Sequence, residues 1–196
     1  INGIGQWVKS QAIQDTVLFN VLSEKTIQVS VNTSPLEIDR AGCWVDEWIV
    51  ASKKYQLPAN TILIEVTENT LMDPDSSIQR QLKRLSTINI DIAIDDFGVG
   101  YSSLAYLQRL DIDILKIDRS FINDIESNDN SIALVKAIIT MAHNLDVMVV
   151  AEGVETQKQY DLLKQLACDY IQGYFFSKAI SKKEFMGKYI EQKEVI

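Results

Sequence analysis

Short apolar runs alternate with amphipathic segments along most of this 196-residue chain. Most of the runs are continuously apolar, which is typical of strands buried on both faces of a parallel sheet. Between them, apolar residues such as Val135, Ile138 and Ala142 recur at helical spacing. The strand predictions cover residues 27–32, 62–67, 90–95, 114–118, 147–152 and 170–176. This βαβα order predicts an α/β fold in which helices cover a parallel sheet.

Two architectures satisfy this order, an open doubly wound sheet and a closed (β/α)8 barrel. An open sheet usually carries a G-x-G-x-x-G loop after its first strand, and no such loop follows a strand here. A barrel instead gathers functional groups at the carboxyl ends of several strands. All six runs end in polar or charged residues, namely Asn32, Glu65 with Glu68, Asp95 with Asp96, Lys116 with Asp118, Glu152 with Glu155, and Gln172. The pattern therefore favours a barrel, of which this chain supplies about six of the eight βα units.

Composition excludes several classes of function. A net charge of −8 argues against a surface that binds nucleic-acid polymers. The longest apolar runs are too short to span a bilayer, and no signal-peptide pattern stands at the start, so we expect a cytoplasmic location. Cys43 and Cys168 lie far apart and form no CxxC motif, which favours packing roles over a disulfide or a metal site.

The polar groups at the strand ends favour metal chemistry with oxygen ligands. His143 is the only histidine, so a Ser-His-Asp triad or an imidazole zinc site is poorly supplied, and we expect a surface or helix-terminal role for it. Crowded carboxylates repel one another unless cations neutralise them, and two ions suit phosphoester hydrolysis. The oxygen donors suit Mg²⁺, Mn²⁺ or Ca²⁺, and they are Asn32, Glu65, Asp95, Asp96, Glu152 and Glu155.

The stretch DIAIDDFGVGYSS places two aspartates at the end of a strand. The backbone begins to turn there, so Asp95 and Asp96 can both face the barrel mouth, with Asp95 bridging two metals. Gly98 and Gly100 would let the next loop bend over the site, although an ordinary glycine turn is the alternative. Lys116 could stabilise a phosphate oxygen or orient water, or it could simply pair with a neighbouring carboxylate.

Several of these stretches together resemble the EAL domain family of bacterial cyclic di-GMP phosphodiesterases. The resemblance extends from about residue 27 to residue 180, and it rests on VSVNTS, IEVTEN, DDFGVGYSSLAYL, LKID, VVAEGVET and QGYFFS in that order. It implies a (β/α)8 TIM-like barrel. It also implies a hydrolase of second-messenger signalling, which converts cyclic di-GMP to pGpG with two Mg²⁺ or Mn²⁺ ions.

The resemblance also implies roles for individual residues. The positions that match the metal ligands of the family are Asn32, Glu65, Asp95 and Asp96, with Glu152 as a further acid at the metals. Glu155 matches an acid beside the metal-bound water, Lys116 matches the lysine that assists this water, and Gln172 matches a glutamine near the site. Glu68 matches the anchor of the glycine loop, and that loop, with Gly98 and Gly100, is associated with dimer contacts and control of activity.

The chain departs from the family pattern in three places. Its sequence contains neither the glutamate of the E-A-L strand nor the next strand with its phosphate-binding arginine, while Val99 replaces a threonine and Ala179 a proline. We therefore expect residues 1–196 to form an N-terminally truncated EAL-type domain that binds cyclic di-GMP as a homodimer, with a sensory or GGDEF domain upstream in the full-length protein.

Two alternatives to an active phosphodiesterase remain open. The absent first strands favour a catalytically inactive receptor for cyclic di-GMP or a protein-interaction module. A different barrel enzyme acting on phosphorylated small molecules would need a phosphate-binding loop after its last two strands, and AEGVET and QGYFFS do not provide a glycine-rich one.

Overall fold

A computed structural model describes residues 2–38, 43–71, 77–99, 107 and 111–190. Six parallel strands occur in this part of the chain. They are β1 (Val29–Asn32), β2 (Ile62–Thr67), β3 (Asp91–Phe97), β4 (Ile114–Ile117), β5 (Met148–Ala151) and β6 (Tyr170–Ile171). Every predicted strand is therefore present, although most are shorter than the sequence suggested.

Helices lie between these strands in the chain. They are α1 (Asn2–Leu22), α2 (Pro35–Ile38), α3 (Cys43–Tyr55), α4 (Ser77–Ser86), α5 (Arg119–Asn123), α6 (Asp129–Asn144), α7 (Gln157–Gln165) and α8 (Lys182–Phe185). A 3₁₀ turn covers Glu68–Leu71, and a π-helical turn covers Met186–Ile190. Among the described residues, no helix has both the length and the apolar character needed to cross a bilayer.

The chain forms two compact units. The first comprises Ile1–Glu65, Pro74–Asp91 and Ala179–Ile196, and the second comprises Val66–Asp73 and Ile92–Lys178. In the first unit β1 pairs in parallel with β2. In the second unit β3, β4, β5 and β6 pair in parallel in the order of the chain.

The cores follow the apolar periodicity of the sequence. Strand β4 is buried along its whole length, as expected for a strand that is covered on both faces. Helix α6 buries one face, because its apolar residues recur at three- and four-residue spacing. The buried residues of this helix are Val135, Ile138, Ile139 and Ala142.

Two carboxylates fix the amino ends of strands in the second unit. The Ile92 amide donates to Asp113 Oδ2 at 2.8 Å, and the Val149 amide donates to Asp169 Oδ2 at 2.8 Å. Burial raises the pKa of Asp113, and the hydrogen bond from Ile92 opposes this rise. His143, in the last turn of α6, contacts the same Asp169 Oδ2 through Nε2 at 2.8 Å, so it has the helix-terminal position that the sequence predicted.

The strand predicted over residues 170–176 is wrong beyond Ile171, where β6 ends. The backbone turns there and approaches Val154 so closely that a Cβ at Gly173 would lie 2.0 Å from the Val154 carbonyl oxygen. The Phe175 amide donates to that same oxygen at 2.9 Å. The aromatic residues that looked like strand residues therefore belong to a turn, where Phe175 stacks on Tyr160 with 5.3 Å between ring centroids.

The cysteine next to β6 is a free thiol. Cys168 is half-buried, and its Sγ donates to the Tyr170 carbonyl at 3.2 Å. Burial raises the pKa of this thiol to about 11, so it stays protonated at neutral pH and is a poor nucleophile. These contacts fit the packing role that was predicted for Cys168.

Candidate metal centre

The end of β3 explains how two adjacent aspartates reach the same place. The register between β3 and β4 shifts between Ile94 and Phe97, which marks a bulge. Asp96 adopts a left-handed conformation with φ of 55°, which aspartate tolerates better than most residues. The bulge breaks the alternation of a regular strand, so Asp95 and Asp96 both contribute to one cluster.

Three carboxylates form this cluster in the second unit. One oxygen each from Asp95, Asp96 and Glu152 lie within 4.8 Å of one another. Lys116 Nζ donates to Asp95 Oδ1 at 2.9 Å and pairs with Glu152 Oε1 at 2.7 Å. The lysine side chain is only 4% exposed. Among these groups the three carboxylates outnumber the one ammonium group. We call Asp95, Asp96, Glu152 and Lys116 the acid cluster.

Parallel strands place these groups together. Lys116 of β4 is the register partner of Val150 in β5, and Ile117 is the partner of Ala151. The Glu152 amide donates to the Ile117 carbonyl at 3.1 Å and continues this pairing. Glu152 therefore emerges beside β4 directly after β5 ends, within reach of the lysine.

The electrostatics of the acid cluster favour a cation. Asp96 is exposed, yet its pKa is raised, first by the partial loss of hydration and then by repulsion from Asp95 and Asp118, while Lys116 lowers it. A bound divalent ion would offset the repulsion between these carboxylates. The donor atoms are all oxygens, so the residues present fit a hard cation such as Mg²⁺, Mn²⁺ or Ca²⁺.

Two of the predicted ligands belong to the first unit. Asn32 and Glu65 are register partners at the ends of β1 and β2. The Thr33 amide donates to the Glu65 carbonyl at 2.9 Å, so the pairing continues past the end of β1. Asn32 is exposed, whereas Glu65 is only 5% exposed. A carboxylate is rarely buried without partners, and Glu65 has interactions with its surroundings.

Glu155 and Gln172 lie outside the acid cluster, and both side chains are exposed. The Gln172 amide donates to the Ala151 carbonyl at 2.8 Å, which fixes its backbone next to β5. The Glu155 amide donates to Gln159 Oε1 at 2.8 Å. Their side chains face solvent, so the structure leaves them available to a ligand but does not bring them to the carboxylates.

The predicted anchor of the glycine loop has the expected contact. Glu68 is 5% exposed, and its Oε2 accepts a hydrogen bond from the Gly98 amide at 3.1 Å. Its other oxygen, Oε1, is buried and has no hydrogen-bond partner among the described residues. Gly98 has φ of 96°, a conformation that strongly favours glycine. Gly100 lies outside the described residues.

Sequence reasoning missed the roles of two residues that shape the surroundings of the acid cluster, although Asp118 was named as a polar residue at a strand end. Asp118 caps α5 by accepting the Ser120 amide at 2.9 Å. Burial raises the pKa of Asp118, but hydrogen bonds from Ser120 and the Arg119 amide, together with the Arg119 charge, lower it overall. Gln159 completes a capping box with Thr156 on α7. The T-x-x-Q pattern of residues 156–159 was readable in the sequence.

The fold and the acid cluster define a barrel-type α/β domain with polar groups at the carboxyl ends of its strands. The chain belongs to the EAL domain family, whose model matches residues 1–179. It is similar to the cyclic di-GMP phosphodiesterase NbdA of Pseudomonas aeruginosa, with 39% identity over 192 residues, which make up 96% of this chain and 24% of NbdA. The chain thus spans about a quarter of the length of that relative.

Solved structures confirm the predicted fold class. The PaMucR phosphodiesterase in complex with c-di-GMP superimposes with a TM-score of 0.86 at 36% identity, covering 93% of this chain and 74% of that one. The manganese and cyclic di-GMP complex of BlrP1 from Klebsiella pneumoniae gives a TM-score of 0.75 at 28% identity, covering 87% and 43%. The BlrP1 complex therefore contains manganese together with the dinucleotide.

Proposed function

We propose that this chain is the catalytic domain of a cyclic di-GMP phosphodiesterase, which hydrolyses the dinucleotide to pGpG in bacterial second-messenger signalling. Family membership and the names of the similar proteins support the substrate. The observation that carries the proposal is the acid cluster, in which a buried lysine holds two of three converging carboxylates. Such a concentration of like charge is unfavourable unless cations neutralise it, which supports a metal centre at this position.

The proposed cofactors are two Mg²⁺ or Mn²⁺ ions. Bound divalent cations supply electrostatic stabilisation of phosphate charge and lower the pKa of coordinated water. The residues proposed to hold them all offer oxygen donors at the carboxyl ends of strands, and they are Asn32, Glu65, Asp95, Asp96 and Glu152. The manganese complex of the similar protein BlrP1 supports this choice of ion.

Lys116 has a second proposed role besides neutralising charge. Its ammonium group is held between Asp95 and Glu152 at 2.9 and 2.7 Å. The two carboxylate partners fix the position of this group beside the acid cluster. A fixed positive charge beside the carboxylates can orient the attacking water and stabilise a phosphate oxygen as charge develops on it. Glu155 is proposed to hold a proton of that water, and Gln172 to contact the substrate.

The wider setting of the domain follows from the sequence and the relatives. We propose a homodimer, as the resemblance to the family implies. The similar protein MucR, of which this chain spans 27%, is a bifunctional diguanylate cyclase and phosphodiesterase, which supports the proposal of an upstream sensory or GGDEF domain. The cytoplasm is the proposed location, on the grounds of the sequence. The contact between Glu68 and the Gly98 amide supports the proposal that the glycine loop controls activity.

Incubation with cyclic di-GMP and Mn²⁺, followed by chromatography for pGpG, tests the function. We expect turnover by the wild type and a loss of at least about 100-fold in Asp95→Ala, since a metal contributes several kcal/mol to such a reaction. Asp161→Ala is the matched control, because Asp161 is exposed. In the described part of the chain, the one hydrogen bond of its side chain comes from Gln157 Nε2 of the same helix at 2.9 Å. It should keep full activity.

The other outcomes separate the alternatives. Binding of cyclic di-GMP without turnover would support the inactive receptor, and the absence of both would contradict the proposed substrate. Full activity of Asp95→Ala would show that the acid cluster is not the metal centre.

A further inference from the structure

The turns that leave β3 and β5 share an unusual feature. Gly98 follows Asp96 by two residues and has φ of 96°, and Gly153 directly follows Glu152 and has φ of 71°. Positive φ values of this kind favour glycine. The strands that carry the acid cluster thus both end in a glycine turn, and the position of each turn affects the carboxylate just before it.

Helix α5 lies against both of these turns. A Cβ at Gly98 would lie 2.7 Å from Cε2 and 2.8 Å from Cζ of Phe121. A Cβ at Gly153 would lie 2.5 Å from Cβ of Arg119. Two residues of one short helix therefore occupy the space beside both turns. Their side chains leave no room for a Cβ at either glycine.

The helix is itself well fixed. It follows β4, which carries Lys116, and begins at the Asp118 cap. Ile122 is completely buried, and its carbonyl accepts a hydrogen bond from Gln159 Nε2 at 3.3 Å. The oxygen of the same Gln159 side chain accepts the Glu155 amide. Helix α5 therefore connects the turn after β3 with both ends of the segment between Gly153 and α7.

We propose that Phe121 and Arg119 are positioning residues of the acid cluster. Phe121 holds the turn that fixes Asp96, and the Arg119 Cβ holds the turn that fixes Glu152. Together they set the separation of these two carboxylates, although neither residue supplies a ligand. The proposal rests on the proposed function in one respect, namely that the acid cluster binds a divalent cation.

A purely structural role for these contacts makes a different prediction. If Phe121 only stabilised the fold, its loss would lower the melting temperature and leave the ion affinity of the folded protein unchanged. If Phe121 positions Asp96, its loss weakens ion binding even far below the melting temperature. Residues that orient metal ligands typically change metal affinity by about 10- to 100-fold when they are replaced.

The test is a Mn²⁺ titration without nucleotide, in which electron paramagnetic resonance measures the free ion. We expect the dissociation constant of Phe121→Leu to rise about tenfold. Asn123→Ala is the matched control, because Asn123 is an exposed residue of the same helix, and its dissociation constant should equal that of the wild type. Circular dichroism establishes that each variant is folded at the temperature of the titration.

A second set of three variants tests the other turn and decides the matter if Phe121→Leu does not fold. Gly153→Ala introduces a methyl group against the Arg119 Cβ, at a backbone φ of 71° that already disfavours alanine, and should weaken Mn²⁺ binding. The double variant Gly153→Ala/Arg119→Gly removes the opposing Cβ and should regain part of the affinity. Gly153→Ala/Arg119→Ala is its control. It also lacks the arginine charge but keeps the Cβ, so it should not regain affinity.

The outcomes distinguish this inference from the proposed function. Wild-type affinity in both Phe121→Leu and Gly153→Ala would overturn the positioning role alone. A wild type that binds Mn²⁺ without hydrolysing cyclic di-GMP would overturn the proposed reaction while the weakened ion binding of the variants would still support the positioning role. A wild type that does not bind Mn²⁺ would overturn both.

Discussion

The same capping motif occurs at the start of α7 and at the start of α8, in the two different units. In each, a hydroxyl side chain caps the helix and a Gln or Glu three residues later hydrogen bonds back to the cap. The α7 box consists of Thr156 and Gln159, and the α8 box consists of Ser181 and Glu184. Their surroundings differ: the α7 box also contacts other elements of the fold, whereas the α8 box makes contacts only within its own motif among the described residues.

The α7 box reaches the core through Gln159, while Thr156 is exposed. Gln159 is 6% exposed, and its Oε1 accepts the amides of Glu155 at 2.8 Å and Thr156 at 3.2 Å. Its Nε2 donates to Ile122 on another helix at 3.3 Å. The Thr156 hydroxyl donates to Glu126, also outside α7. This box therefore ties the segment next to the acid cluster to the rest of the second unit.

The α8 box is confined to its own helix. Glu184 Oε2 accepts the Ser181 amide at 2.9 Å and the Ser181 hydroxyl at 2.7 Å, and both residues are exposed. Water can replace each of these hydrogen bonds. The same type of motif should therefore contribute much less to the free energy of unfolding in α8 than in α7. Replacing the corresponding residues of the two boxes measures this difference.

The largest effect should come from Gln159→Ala. The change removes the cap contact, worth about 1 kcal/mol, and takes away a donor from the buried Ile122 carbonyl, which costs about 1–3 kcal/mol. We expect the free energy of unfolding in urea to fall by about 2–4 kcal/mol. Gln165→Ala, at an exposed position of the same helix, should stay near the wild type. A similar loss in both variants would mean that the buried contacts of Gln159 contribute nothing.

The two hydroxyl caps should differ by a smaller amount. We expect Thr156→Ala to lower the free energy of unfolding by about 1–2 kcal/mol and Ser181→Ala by about 0.5 kcal/mol, the upper and lower parts of the range for such caps. Thr156→Ser keeps the hydroxyl and should recover most of the loss, as measured by urea unfolding. Equal losses in the two alanine variants would mean that the contacts of the α7 box outside its own helix add nothing to the strength of the cap.

Residues with local signals were predicted well from the sequence. The presence of six strands and the helical position of His143 follow from periodicity and short-range patterns, although the last strand ends at Ile171. The convergence of Asp95 and Asp96 was expected, but the bulge that produces it was not, because bulges depend on the pairing with β4. The assigned roles of the site residues stay predictions.

The support around the acid cluster could not be predicted in the same way. Phe121 meets Gly98 and Arg119 meets Gly153 across separations that no local pattern encodes. Gln159 is polar, and a helical pattern would place it on an exposed face, yet its buried position depends on Ile122, 37 residues away in the chain. Tertiary contacts, rather than propensity, decide which polar residues fix the segments next to the carboxylates.

The smallest effect distinguishes the two boxes by pH. Hydrogen bonds from the Ser181 side chain and amide lower the pKa of Glu184 below its ordinary value of 4.5. A lowered folded-state pKa stabilises the protein above the unfolded value, and this contribution is lost as pH falls through the folded value. The melting temperature of Glu184→Gln should thus lie slightly below that of the wild type at neutral pH, and the gap should close below about pH 4.5. The gap for Gln159→Ala should persist over the same range, because the Gln159 side chain does not titrate. A gap for Glu184→Gln that stays constant as the pH falls would show that the carboxylate charge plays no part in the α8 box.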